Sequence, residues 1–178
     1  MKLAEVDAMR TFYSRGVGQI IIASILFTVM VLSVGTAWSA TPMPEFQLSG
    51  VGDSTEVVRG QDFQGKVMLV NFWATWCPPC RREIPSLVRL HEENRDKGFS
   101  VIGISLDKSA PDMVAKFVKK IGVNYPIALG TNEVAKSFGA LGAIPSSFLV
   151  DTNGMIVKSY PGYTTYEKMA KDIKDLLN

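Results

Sequence analysis

A chain of 178 residues in which 47% of the side chains are hydrophobic and 20% charged is too apolar for a disordered polypeptide and has room for one folded domain plus a leader. Lys and Arg number 19 against 17 Asp and Glu, so there is no basic field suited to nucleic acid. A domain of this size buries a core without metal or disulfide staples.

No charged residue occurs between Gly16 and Pro44, and the run from Ile20 to Val34 is dense in Ile, Val, Leu, Met and Phe. Such a run enters a bilayer, and Arg10 and Arg15 before it keep the N-terminus on the cytoplasmic side. Residues 1–40 are therefore expected to be a signal peptide or a transmembrane anchor, with residues 41–178 as one extracytoplasmic domain. Ala37 and Ser39 suit a cleavage site, whereas the length of the run suits a retained anchor; both remain open. A buried helix of a soluble protein would have to be apolar on every side.

Beyond residue 40 the punctuation alternates strands and helices, the pattern of an α/β fold. Residues 46–58 read as one or two short strands. Gln64-Gly65-Lys66 turns into Val67–Trp73, an apolar run expected as a buried strand. A helix is predicted from Cys77-Pro78-Pro79-Cys80 to Lys97, stopped by Gly98, followed by a strand over Phe99–Leu106 parallel to the first. Next come a helix over 111–121 ending at Gly122, an extended piece over Tyr125–Leu129 and a short helix over Glu133–Phe138, broken by Gly139 and Gly142. Ser146–Val150 and Met155–Tyr160 are strands joined by Asp151-Thr152-Asn153-Gly154, a loop rich in turn formers. A final helix from Tyr166 carries Met169, Ile173, Leu176 and Leu177 as its apolar stripe. Lys116, Lys119 and Lys120 have the spacing of a solvated helix face.

The two cysteines are three residues apart, so a bridge between them closes a very short loop and stabilises the fold little. Their position at the start of a helix instead suits a reversible dithiol. Cys77 at the helix N-terminus has free N–H groups and the helix dipole to favour its thiolate, which makes it the attacking sulfur. Cys80, one turn further in and less exposed, is the resolving thiol. Pro78 and Pro79 fit the first helical turn, where a missing N–H is harmless. Each also removes a donor that would stabilise the Cys77 thiolate, which inclines the pair toward reduction of substrates.

The stretch Asn71-Phe72-Trp73-Ala74-Thr75-Trp76-Cys77-Pro78-Pro79-Cys80-Arg81-Arg82-Glu83-Ile84-Pro85 resembles the active-site segment of thioredoxin-like TlpA/ResA-type thiol-disulfide oxidoreductases. The likeness runs from about residue 42 to the C-terminus. It includes Gly65-Lys66, Gly142-Ala143-Ile144-Pro145-Ser146-Ser147-Phe148-Leu149-Val150-Asp151 and the Asn153-Gly154 turn. It implies a thioredoxin-like fold, a central mixed β-sheet flanked by helices. It also implies a cis Ile144–Pro145 bond facing the dithiol, with the Ile144 backbone available to an extended substrate. In ordinary thioredoxins a buried acid stands at the strand position of Asn71. The TlpA/ResA group instead associates a glutamate at the place of Glu83 with proton handling. Glu83 lies one turn beyond Cys80, so a buried carboxyl there would have a raised pKa and could take the Cys80 proton; a solvent-facing glutamate is the alternative.

Trp73 reads as core and Trp76 as part of the exposed rim that meets a partner. Pro85 is expected to kink the helix. Arg81 and Arg82 are either solvated or tune partner choice, and His91 is expected at the surface. The resemblance implies exported disulfide-containing proteins as substrates, among them apocytochrome c before haem attachment. A membrane thiol transporter of the CcdA or DsbD kind would be the donor of reducing equivalents, and no organic cofactor or metal is needed. A peroxiredoxin is set aside because its reactive cysteine follows a Thr or Ser three residues back and a Pro seven back. Cys77 has Ala74 and Val70 there, and Cys80 has Cys77 and Trp73. A soft-metal (copper) carrier is the competing non-enzyme class. His91, eleven residues past Cys80, lies about 16 Å along the helix axis and cannot join the two sulfurs as a third ligand.

Overall fold

The computed structural model describes residues 41–52, 57–108 and 111–178. The expected signal or anchor segment, residues 1–40, lies outside the described residues. Among the described residues no helix is long and apolar enough to cross a membrane.

Strands β4 (Val67–Trp73) and β5 (Phe99–Ser105) pair in parallel inside a six-stranded sheet and are buried along their whole length. Their runs of Val, Ile, Leu, Met and Phe are what a strand covered on both faces requires. Parallel neighbours need a crossover, here supplied by helix α1 (Pro78–Asn94). Ile84, Leu87 and Leu90 form its buried stripe, each contributing roughly 1.5–3 kcal/mol by leaving water. A 3-10 turn over Arg95–Lys97 ends at Gly98, whose φ of 82° is the left-handed cap that stops the helix.

Helix α2 (Pro111–Ile121) leads to β6 (Ile127–Leu129), which pairs in parallel with β5. Helix α3 (Asn132–Ser137) starts at Thr131, whose side chain accepts from the Val134 N–H. On the other flank, β7 (Ser146–Val150) and β8 (Met155–Pro161) form the expected hairpin, with β7 antiparallel to β4. Asp151 sets the turn by accepting from the N–H groups of Asn153 and Met155 at 2.9 and 2.8 Å. Short β1 (Thr41–Pro42) adds to the edge of β8, giving the order β1-β8-β7-β4-β5-β6. Strands β2 (Gln47–Ser49) and β3 (Val57–Arg59) pair separately, and helix α4 (Tyr166–Leu177) closes the chain with Met169 and Ile173 buried. The result is a thioredoxin-like α/β fold with a mixed central sheet and flanking helices.

Alternation along β4 divides the interior. Val67, Leu69 and Trp73 pack in a cluster with α1, α4 and both cysteines, whereas Met68, Val70 and Phe72 join a second cluster with Phe46, Phe138 and Phe148. The dithiol thus stands where β4 ends and α1 begins, over the first of these cores. Gly103 on β5 lets this core close, because an added Cβ would stand 2.5 Å from Ile127 Cδ1 and 3.1 Å from Trp73 Nε1.

Candidate active site

Cys77 is the N-cap of α1, and Pro78 and Pro79 occupy its first turn, so neither proline leaves a helical hydrogen bond unmade. The Cys77 and Cys80 sulfurs are joined in a disulfide with Cα atoms 5.3 Å apart. The Cys80 N–H is directed at Cys77 Sγ at 3.3 Å. Two of the donors a helix N-terminus offers are lost to proline, and this one remains to favour a Cys77 thiolate. Cys77 is the more exposed cysteine, but only at 3% against 1% for Cys80. A substrate sulfur must therefore be brought down to Cys77.

The rim around that sulfur is less enclosed. Trp76, directly before Cys77, is 66% exposed. The Ile144–Pro145 bond is cis, and the Ile144 carbonyl oxygen lies 3.6 Å from Cys77 Sγ. Pro145 is held from behind, its carbonyl accepting from the Gly162 N–H at 2.8 Å. Cys77, Trp76, Ile144 and Pro145 are thus brought to one place.

Glu83, which the helical periodicity left open between core and solvent, is 1% exposed. Its carboxylate accepts from the Thr164 N–H at 2.8 Å and from Asn71 Nδ2 at 3.1 Å. Asn71 also donates to Ser147 Oγ at 2.9 Å. These polar groups link α1, β4, β7 and the loop after β8. Burial raises the Glu83 pKa to about 7, and the two hydrogen bonds only partly oppose it. The carboxyl therefore changes protonation near neutrality, one helical turn from Cys80.

Asp107 is the residue that sequence reasoning missed. It is buried and accepts from Thr75 N at 2.9 Å, Thr75 Oγ1 at 2.6 Å and Ser105 Oγ at 2.7 Å. Together with the bond from Leu106 N to Trp73 O, this fixes the loop that delivers Cys77. The one available signal was a lone acid directly after the apolar run Phe99–Leu106.

One expectation needs correction. His91 is half-buried rather than on the surface: its Nδ1 accepts from the Val101 N–H at 3.2 Å and its ring meets Tyr125 edge to face. Burial and the nearby Arg95 lower its pKa, consistent with a neutral ring serving as acceptor. Trp73 is core, as expected, and no partner satisfies its indole N–H among the described residues. Pro85 lies inside α1. Among the described residues, no three or more His, Cys, Asp or Glu side chains gather as a metal site.

A paired dithiol at a helix N-terminus, opposite a cis-proline on a mixed sheet, is the architecture of a thioredoxin-like thiol-disulfide oxidoreductase. Comparison with known proteins agrees. The redoxin family model matches residues 39–177, and the chain belongs to that family. The thiol-disulfide oxidoreductase ResA of Bacillus thuringiensis is 33% identical over 118 residues, 65% of this chain and 66% of that protein. The match thus spans just under two thirds of that relative's length. A thiol:disulfide interchange protein of the thioredoxin family from Chlorobium tepidum is 32% identical with a TM-score of 0.69, covering 78% of this chain and 97% of its own. A secreted thiol-disulfide isomerase from Corynebacterium glutamicum is 26% identical with a TM-score of 0.66, covering 76% and 82%.

Proposed function

We propose that this protein reduces disulfides of exported proteins outside the cytoplasm, with Cys77 as nucleophile, Cys80 as resolving thiol and Glu83 as proton acceptor. The observation that carries the reading is the placement of Cys77 Sγ between the Cys80 N–H and the Ile144 carbonyl. In the reduced enzyme the Cys77 thiolate attacks a substrate disulfide. The substrate S–S bond breaks, one substrate sulfur leaves as thiolate, and the other stays bonded to Cys77. Cys80 then loses its proton to Glu83 and attacks Cys77 Sγ. The second substrate thiolate is released and the Cys77–Cys80 bridge forms. Two electrons pass from enzyme to substrate.

The bridged form is the product state of that cycle, and its return to the dithiol requires an external dithiol donor. A membrane thiol transporter of the CcdA or DsbD kind fits this need, and residues 1–40 would deliver or tether the domain residues 41–178 on the same side of the membrane. The secreted relative supports that location. Trp76, Ile144 and Pro145 form the substrate seat, where an extended chain pairs with the Ile144 backbone. Apocytochrome c is one substrate that meets these requirements.

Cys80→Ser arrests the cycle at the mixed disulfide, so the variant should capture exported clients as covalent adducts released by dithiothreitol. A Cys77→Ser/Cys80→Ser double variant that keeps full activity in an insulin-reduction assay would refute the reading. Stoichiometric copper on the purified protein without disulfide reduction would favour the metal-carrier class instead.

A further inference from the structure

Beside the dithiol, α1 and α2 enclose a groove of about 420 Å³ lined by Pro78, Arg81, Arg82, Pro85, Phe117 and Ile121, with Ile84 at its base. Pro78, at its lip, follows Cys77 directly in sequence. The α2 wall continues as a stripe at helical spacing, Met113, Phe117 and Ile121, of which Met113 and Ile121 are 49% and 39% exposed. A surface of this kind next to a reactive sulfur is apolar on its floor and cationic on its edge.

The two arginines are set for a particular use. The Arg81 guanidinium carbon lies 5.7 Å from the centre of the Phe117 ring and that of Arg82 lies 5.4 Å from the centre of Tyr163, both within cation–π reach. A contact of this kind holds a guanidinium in place without using up its N–H donors, which stay available to a carboxylate in a forked pair. Among the described residues neither arginine is paired with a carboxylate. Glu83, the acid next in sequence, is turned inward to Asn71 and Thr164. Glu92 and Glu93, further along α1, are engaged by Arg95 and Arg89. Lys116 and Lys120 flank the apolar stripe on α2, and Asp112 at the start of that helix is the exposed acid on it.

We propose that this groove binds the polypeptide flanking the target disulfide of a substrate and selects segments that carry an aspartate or glutamate beside an apolar residue. The proposal rests on the disulfide-reductase reading and adds to it a substrate class. The apolar side chain enters between Phe117 and Ile121. The carboxylate meets the exposed guanidinium groups of Arg81 and Arg82, which aligns the neighbouring cystine over Cys77.

Three disulfide-bonded peptides that differ only in Glu-Leu, Gln-Leu or Lys-Leu beside one cysteine, reacted with the reduced full chain in single turnovers, test this. Expected is an order Glu over Gln over Lys, with roughly fivefold or more between the extremes at low salt. The spread should shrink to within about twofold at 0.5 M salt, where exposed charges are screened. The double variant Arg81→Glu/Arg82→Glu should invert the order. Both positions are exposed and lie near the helix N-terminus, where negative charge is tolerated, so folding should survive. Because the order is read within one protein sample, a general loss of rate does not obscure it; if the variant fails to fold, the salt dependence of the unmodified chain decides.

Equal rates for the three peptides at low salt would overturn the proposal while leaving the reductase reading intact. Reduction of none of them would remove both. An order that the double variant leaves unchanged, combined with its loss of binding to phosphatidylglycerol vesicles, would overturn the proposal and assign the arginines to lipid.

Discussion

Both faces of strand β4 are buried along its whole length but are built differently. One face presents Met68, Val70 and Phe72 to a cluster in which Phe72, Phe138 and Phe148 meet ring to ring at 5.2 to 5.9 Å, with no ionisable side chain in the cluster. The other presents Asn71 and Trp73 to a core holding both cysteines, with the carboxyl of Glu83 and an unpartnered indole N–H. The aromatic face serves cohesion alone. The polar face gives up some cohesion to keep groups whose charge state can change, and a single strand lets each be altered without the other.

The largest expected effect is on the polar face. Cys77→Ser should lower insulin-reduction rates on the order of a thousandfold or more, as removal of a nucleophile does. Thermal stability should move little, because the bridge closes a very short loop. Phe72→Ala should do the opposite, costing about 3–5 kcal/mol in urea unfolding. The dithiol potential should stay within about 10 mV, roughly a third of the shift that a tenfold change in equilibrium requires. A Phe72 variant with an altered potential would show that the faces are not independent.

Glu83→Gln sharpens the contrast through pH. With its pKa raised to about 7 from 4.5, Glu83 stays protonated in the folded chain while the unfolded chain has already ionised. Its contribution to stability is therefore full below pH 4.5, falls as pH rises through about 7, and is flat above that; the loss is about 3 kcal/mol at most. The glutamine variant should lack this loss, so its urea midpoint should gain on that of the unmodified chain between pH 4.5 and pH 8. Its dithiol turnover should fall and lose the step near pH 7. Asn71 can serve the glutamine by turning its amide, so that Oδ1 accepts from both the new side chain and Ser147. Asp107→Ala should have the smallest effect, about 1–3 kcal/mol from orphaned donors at Thr75 and Ser105. A slower reaction of Cys77 with iodoacetamide after reduction would show that the loop it holds has lost its set.

Much of this architecture was legible in the residues. The uninterrupted apolar runs of β4 and β5 left few alternatives to a covered parallel pair, and Cys-Pro-Pro-Cys after such a strand placed a helix start at the sulfurs. The less legible parts depend on distant chain. Glu83 sits on a helical face that periodicity alone does not assign to core or solvent. It is the Thr164 N–H, 81 residues away, that gives its carboxylate a partner inside. His91 looked like a surface residue because its acceptor role requires the Val101 N–H of β5. Asp107 reads as a loop acid until the fold brings Thr75 to it, 32 residues removed. The strand β1 is two residues long and leaves no periodicity to read.

The contrast between a sealed Trp73, 1% exposed, and an open Trp76, 66% exposed, gives the molecule two optical gauges. With Trp38, the remaining tryptophan, replaced by phenylalanine, emission should split into a blue component blind to acrylamide and a red one that acrylamide quenches. Docking of a client should shield the red component alone, so occupancy of the rim can be followed by light without labelling either protein.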